Sequence, residues 1–311
     1  MPSPLNIAIV GLGNVGTGVA KILTEQPERI IRRAGRPVAI RKAVVRNLSK
    51  PRDIELPSGV LTTDLDSVIK DPDIDVAVEL MGGLHPAREV VLALLEAGKD
   101  VVTANKALLH EHGDEIFAAA RRLDRTVAFE AAVAGGIPII AAVGQSMSAN
   151  QIIGLQAILN GTSNYILSEM LQQQKSYLEA LSQAQDLGYA EADPKLDVDG
   201  TDAAQKLGIL VQLAFGTKVS TSSFHVSGID NLDQTDIQYA ADLGYTIKLL
   251  ATARLANGRL QMSVRPTLVR KDRPLAQTHG PFNAVLLDGD IVGSVWYSGR
   301  GAGQLPTASA V

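Results

Sequence analysis

The chain has 311 residues, 46% of them hydrophobic and 20% charged, with a net charge of −4. This is the composition of an ordinary folded chain long enough for about two domains, and it gives no sign of nucleic-acid or membrane-surface binding. The absence of cysteine excludes disulfides, thiolate catalysis and cysteine-ligated zinc, and fits a cytoplasmic protein.

The first residues, MPSPLNIAIVG, lack the charged and long apolar regions of a signal peptide. No apolar run approaches the roughly 18 residues of a transmembrane helix, so no membrane partner is expected. Leu5 to Val10 reads as a buried parallel strand. Gly11-Leu12-Gly13-Asn14-Val15-Gly16 follows at once, and the amphipathic stretch TGVAKIL follows that. Strand, G-x-G-x-x-G and helix are the context of a dinucleotide fingerprint. In that reading Gly11 permits the tight turn, Gly13 lets backbone approach a pyrophosphate, and Gly16 lets helix and strand pack closely. The helix N-terminus offers N–H groups to the phosphates. A purely structural glycine turn is the alternative.

Val38 to Val45 is a second strand candidate. An NAD-type site places an acid about 20 residues beyond the fingerprint, on the ribose 2′-OH. Residues 33–47, RAGRPVAIRKAVVRN, contain no acid and five cations, with Arg46 just past the strand's carboxyl end. Arginine suits phosphate geometry, so NADP(H) is favoured over NAD(H), which stays possible. A solvated basic surface is the competing reading.

DVAVEL (75–80), KDVVTA (99–104) and TVAFEAAV (126–133) continue as strands, with helices AREVVLALLEAG and NKALLHEHGDEIFAAARRL between them. Strands alternating with helices imply a doubly wound parallel sheet of the Rossmann type. Lys106 follows the strand at 99–104, at the rim where ligands of such sheets bind, and Asn105 is a candidate helix cap. An exposed helix-start lysine is the bland alternative. His110 and His112 are two apart on a helix and point in different directions, so a histidine-ligated metal is not expected.

Residues 184–206, AQDLGYAEADPKLDVDGTDAAQK, crowd carboxylates around two glycines and a proline, then open an apolar helix. At 100° per residue, Leu207, Ile209, Leu210, Val211, Leu213 and Ala214 define an inward arc, with Thr201, Gln205, Gly208 and Gln212 outward. Asp202 and Lys206 project into the apolar arc. Charges there are costly unless paired or used. A structural i,i+4 pair and a catalytic pair both satisfy this pattern. Later strands are expected in KLLATARL, LQMSVRPTLV and AVLLDGDIVGSVWYSG.

These residues together resemble the homoserine dehydrogenase family. Ala184, Gly188-Tyr189-Ala190, Asp193-Pro194, Asp197-Val198, Gly200, Asp202 and Lys206 fit that family's signature. GLGNVG (11–16), VVTANKALL (101–109), FEAAVAGGIPII (129–140), ILNGTSNYIL (158–167) and GAGQLPTASAV (301–311) match in the same order. The resemblance implies NAD(P)-dependent interconversion of L-homoserine and L-aspartate 4-semialdehyde, toward threonine, methionine and isoleucine. It implies a nucleotide domain (1–135), a second α/β (α+β) domain for substrate, catalysis and dimerisation (136–295), and a segment (296–311) returning to the first. Lys206 resembles the catalytic acid/base, and Lys106 the lysine near substrate and nicotinamide. Glu191 and Asp202 look like substrate-binding carboxylates, and Gly161, Thr162 and Tyr189 like substrate contacts. Gly303 is similar to a residue that returns to the cofactor. Glu130 and the carbonyls of Val133, Gly135 and Ile137 are similar to a monovalent-cation site, usually sodium. Sheet-to-sheet pairing would make a homodimer. Relatives usually continue past PTASAV with a returning helix, and many with a regulatory domain; neither is expected here, nor is threonine feedback through such a domain.

An unperturbed lysine titrates near about 10.4 and is a poor base at neutral pH. Burial and Lys106 would lower the value for Lys206 and Asp202 would raise it; which prevails stays open. Two rival readings stand beside this one: another amino-acid-related NAD(P) oxidoreductase, and a catalytically silent nucleotide-binding sensor.

Overall fold

The computed structural model describes residues 2–311. The chain divides into two units, residues 1–132 with 303–311, and residues 133–302. In the first unit the elements run β1 (Leu5–Val10), α1 (Asn14–Glu25), α2 (Pro27–Ala34), β2 (Val38–Val44), β3 (Leu61–Thr62), α3 (Asp66–Ile69), β4 (Val76–Glu79), α4 (Ala87–Glu96), β5 (Asp100–Thr103), α5 (Lys106–Arg122) and β6 (Val127–Ala128). All strand pairs are parallel, in the order β3-β2-β1-β4-β5-β6. This is the doubly wound order, with its reversal between β1 and β4.

The central strand explains how the sheet is covered on both sides. Successive side chains of a strand alternate faces. Ala8 and Val10 enter a core with Val90, Val91, Leu94 and Leu95 of α4 and Leu108 and Ile116 of α5. Ile7 and Ile9 enter another with Val19 and Ala20 of α1. The four consecutive apolar residues Ile7–Val10 are what two covered faces require.

The second unit holds α6 (Ile139–Ala141), β7 (Ile152–Ile158), α7 (Gly161–Gln173), α8 (Tyr177–Asp186), α9 (Lys195–Val198), α10 (Thr201–Phe215), β8 (His225–Val226), α11 (Gln234–Asp242), β9 (Tyr245–Ala256), β10 (Arg259–Arg270), β11 (Phe282–Gly289) and β12 (Gly293–Arg300). Its six-stranded mixed sheet has the order β12-β11-β7-β9-β10-β8, antiparallel except for β10 with β8. One face carries buried Leu155, Ala157, Leu249, Ala251, Ala253, Val285 and Leu287. On the other, Gln156, Arg254, Gln261, Arg265 and Trp296 are exposed.

Several expectations need correction. The expected divisions at 135 and 295 differ from those found. β12 lies wholly in the second unit, and the returning segment begins at Gly303. That segment, expected to return to the first unit, forms α12 (Gln304–Ala310). It packs on α1 so closely that a Cβ at Gly18 would lie 2.9 Å from Gln304 Cγ and 3.0 Å from Ala308 Cβ. The strand expected over 126–133 stops at Ala128, and Glu130–Ala132 form a 3-10 turn. Alanine-rich sequence at a sheet edge holds a strand poorly. On α10, Gly208 is buried rather than outward, because a residue without a side chain is covered by its neighbours. Among the described residues no helix is long and apolar enough to cross a membrane.

Lys248, near the start of β9, is fully buried. It donates to Asn164 Oδ1 at 3.0 Å and to the Thr278 carbonyl. Asn164 Nδ2 in turn reaches the carbonyls of Thr278, Gly280 and Phe282. Loss of solvent lowers the Lys248 pKa to about 8. The unfolded lysine titrates near about 10.4. Between those values the unfolded chain binds more protons, so the burial cost is relieved and stability rises with pH. Urea unfolding measured from neutral pH to about 10 should show that rise in the parent and not in Lys248→Met. An equal rise in both would remove Lys248 as its source.

Candidate active site

The loops after β1 and β4 meet at the sheet's reversal point. Gly11 has φ +103°, and a Cβ there would lie 2.6 Å from both the carbonyl carbon and oxygen of Leu80. A Cβ at Gly16 would lie 2.1 Å from the Gly11 carbonyl oxygen. Gly13 has open space where its Cβ would stand, and it precedes α1 without capping it by a side chain. Two glycines thus pack the turn while the third leaves room over a helix N-terminus, the arrangement that accepts a phosphate.

A cleft of about 570 Å³ opens beside this turn. Gly11, Leu12 and Gly13 line it from one loop and Leu80, Met81 and Gly82 from another. Asn14 and Val15 begin α1 and are not among its lining residues. Arg46, Asn47, Lys50 and Arg52 form a further wall, and the lining contains no carboxylate. Arg52 holds this wall in shape by donating to the carbonyls of Lys50 at 2.8 Å and Asn47 at 2.7 Å. Sequence reasoning singled out Arg46 and noted Lys50 and Arg52 close after it; the structure puts all three in the cleft's lining.

Lys106 is the first residue of α5 and is half-buried. Its position is set by Asn105, whose side chain accepts from Leu108 N–H at 3.2 Å as the expected cap. Gly303 is exposed with φ +114° and precedes α12; it is not part of the cleft's lining.

The second unit carries a polar knot under a carboxylate-rich loop. Asn160 Oδ1 caps α7 by accepting from Ser163 N–H at 2.8 Å. Its Nδ2 donates to Asp197 Oδ1 at 2.8 Å and to Asp202 Oδ2 at 2.9 Å. The same Asp202 oxygen receives Lys206 Nζ at 2.7 Å. Nζ also donates to the Leu159 carbonyl at 2.8 Å. An ammonium has three donors, so one N–H remains available to a reacting oxygen. The pair is largely withdrawn from water, with side-chain exposures of 11% for Lys206 and 6% for Asp202.

Thr162 Oγ1 donates to the Tyr189 carbonyl at 2.6 Å, joining two expected substrate contacts. The Tyr189 ring lies 4.9 Å from that of Tyr165 and is partly open to solvent. Gly161 has no room for a side chain, since a Cβ would meet the Pro281 carbonyl oxygen at 2.9 Å. Glu191 is exposed, and its carbonyl accepts from Gln185 Nε2 at 3.2 Å. Sequence reasoning gave Asn160 and Asp197 no role. The available signal was an asparagine directly before a helix, beside a loop with too many carboxylates to leave unpaired.

Glu130 opens the 3-10 turn of the first unit, and Val133, Gly135 and Ile137 lie in the second. Ala134 and Gly135 are consecutive left-handed residues, φ +56° and +50°. The Ile137 carbonyl already accepts from Ile139 N–H at 2.8 Å. Among the described residues no group of three or more His, Cys, Asp or Glu side chains could hold a metal.

A Rossmann sheet with an open glycine turn in one unit and a lysine–carboxylate pair in the other define the class: an NAD(P)-dependent oxidoreductase. The family model for the homoserine dehydrogenase NAD-binding domain matches residues 11–130, and that for homoserine dehydrogenase matches residues 138–311. The Neisseria gonorrhoeae homoserine dehydrogenase is 47% identical over 99% of this chain and 71% of its own length. The Synechocystis enzyme is 48% identical with the same coverages. A Thiobacillus denitrificans homoserine dehydrogenase structure matches with a TM-score of 0.94 at 49% identity, over 99% of this chain and 71% of that one. A hyperthermophilic archaeal homoserine dehydrogenase in complex with NADPH matches with a TM-score of 0.81 at 26% identity, over 99% and 95%. The chain belongs to the homoserine dehydrogenase family.

Proposed function

We propose that this enzyme interconverts L-homoserine and L-aspartate 4-semialdehyde with NADP(H) preferred over NAD(H), and that Lys206 carries the proton. The observation behind the proton role is the ammonium's placement. Asp202 and the Leu159 carbonyl hold Nζ on two sides. When bound, the nicotinamide supplies or takes the hydride. Lys206 donates a proton to the aldehyde oxygen as it becomes a hydroxyl, and takes one from homoserine in reverse.

Lys106 is assigned to the substrate and nicotinamide. Glu191 and Asp202 answer the substrate's α-ammonium. The Gly161-Thr162 turn and Tyr189 offer N–H and O–H donors to its carboxylate. The cofactor's pyrophosphate belongs over Gly11–Gly16, with Gly303 as a further contact. Arg46 binds the 2′-phosphate; the acid-free wall of Arg46, Lys50 and Arg52 supports this. The archaeal relative's NADPH complex is consistent with it.

Glu130 and the carbonyls of Val133, Gly135 and Ile137 are assigned to a sodium ion that shapes the turn rather than joining the chemistry. The left-handed pair at 134–135 supports a bend able to converge carbonyls. The exposed face bearing Gln156, Arg254 and Trp296 is assigned to a homodimer. The biosynthetic setting is threonine, methionine and isoleucine formation in the cytoplasm.

Four measurements test these assignments. Oxidation of NADPH and NADH with L-aspartate 4-semialdehyde should be faster with NADPH, and slower in sodium-free buffer. Lys206→Ala should cut kcat by about 10²–10⁴-fold with NADPH affinity retained, the range for a lost general acid; near-parental turnover would sink the role. Arg46→Ala should weaken NADPH by about tenfold or more and NADH little, as expected for one charge-assisted contact; equal weakening would remove the 2′-phosphate assignment. For the dimer, sedimentation should give twice the chain mass, and a monomer would exclude it.

A further inference from the structure

Glu79 ends β4 with 0% exposure, and no cationic side chain of the described residues pairs with it. Burying a carboxylate without a counter-charge is expensive, so its hydrogen bonds must explain its presence. There are two. Oε1 accepts from Met81 N–H at 2.8 Å. Oε2 accepts from Thr103 Oγ1 at 2.6 Å. Thr103 Oγ1 accepts from Asn105 N–H at 3.0 Å. Asn105 Nδ2 returns to the Gly83 carbonyl at 2.7 Å, while its Oδ1 caps α5.

The bonds close a circuit: Glu79, the loop 81–83, Asn105, Thr103 and back to Glu79. Strand pairing prepares it, because Glu79 stands directly beside Thr103 in the β4–β5 register. Two loops at the carboxyl ends of neighbouring strands are thereby locked together. One lines the cofactor cleft through Met81 and Gly82. The other delivers Lys106, the residue after the circuit's asparagine.

The chemistry of the residue is specific. Both Glu79 partners are donors, and an ionised carboxylate accepts at both oxygens. Glutamine has one acceptor oxygen and one donor nitrogen, so one of the two links must fail or reverse. Aspartate is a methylene shorter.

We infer that Glu79 is a positioning residue that holds Lys106 and the loop 81–83 in a fixed relation, so that cofactor seat and lysine are set by one carboxylate. This rests on the reading of Lys106 as a residue of the reaction. Misplacement of a reacting group by about 1 Å can cost around a hundredfold in rate. Glu79→Gln and Thr103→Val are each expected to lower kcat by about tenfold, part of that range. Thr103→Val keeps the carboxylate and its Met81 bond, so it tests the circuit even if Glu79→Gln fails to fold.

Kinetics of both variants, alone and combined with Lys106→Ala, separate positioning from bulk stability. Residues that act through one another give non-additive effects. The expected result is a tenfold loss in the Lys106 enzyme and no further loss on Lys106→Ala. If the losses still multiply on an impaired Lys106→Ala enzyme, the inference is wrong and the reading of Lys106 stands. If Lys106→Ala itself turns over normally, that reading fails and carries the inference with it. Unchanged kcat in both Glu79→Gln and Thr103→Val, with only the melting temperature lowered, would show a purely structural role.

Discussion

A single oxygen, Oδ2 of Asp202, organises the buried polar knot of the second unit. It receives Lys206 from its own helix and Asn160 from the cap of α7. Asn160 also holds Asp197, whose carbonyl accepts from Ser163 Oγ at 2.6 Å. The starts of α7 and α10 and the short α9 are thus registered through side chains rather than through a shared sheet. Removing one partner of such a buried set leaves an uncompensated charge, typically worth about 3–5 kcal/mol. The apolar stripe of α10 alone would hold the helix without specifying where its lysine points.

The first unit solves a related problem with backbone. Its ligand-facing loops lie at the carboxyl ends of β1, β2, β4 and β5. Gly11 and Gly16 let the first loop press against Leu80 and against its own strand. Arg52 ties the loop of the basic wall together by donating to backbone carbonyls. Arg46 and Lys50 are displayed from the same loop.

Local demands were the legible ones. Gly11-x-Gly13-x-x-Gly16 is readable because each glycine answers a steric constraint within the turn or against the next strand. The sheet class follows from alternating apolar runs and amphipathic helices. Asp202 and Lys206 stood out because they interrupt an apolar arc. What stayed hidden depends on partners distant in the chain. Asn160 meets Asp197 and Asp202 from 37 and 42 residues away. Glu79 reads as the polar end of a strand until Thr103 is placed beside it. Lys248 reads as a solvent-facing strand lysine, yet Asn164 and Thr278 take it fully inside. The divisions between units fall in glycine-rich stretches without a change in composition. α12 was missed because PTASA, with its proline and threonine, has little helical signature, and its packing on α1 decides its conformation.

That last packing makes the first unit discontinuous. Ala308 and Val311 belong to the same apolar cluster as Ile7, Ile9, Val19 and Val45. Everything between residues 133 and 302 is threaded between two pieces of one core. During synthesis, which proceeds from the N-terminus, β1 through β6 emerge long before the helix that completes their cover. The α1 surface beside Gly18 must stay unsealed until residues 303–311 leave the ribosome. Loop closure over so many residues is slow relative to local pairing. The nucleotide-binding unit is therefore begun before the second unit and completed after it, and a chain interrupted anywhere before α12 carries an unfinished core.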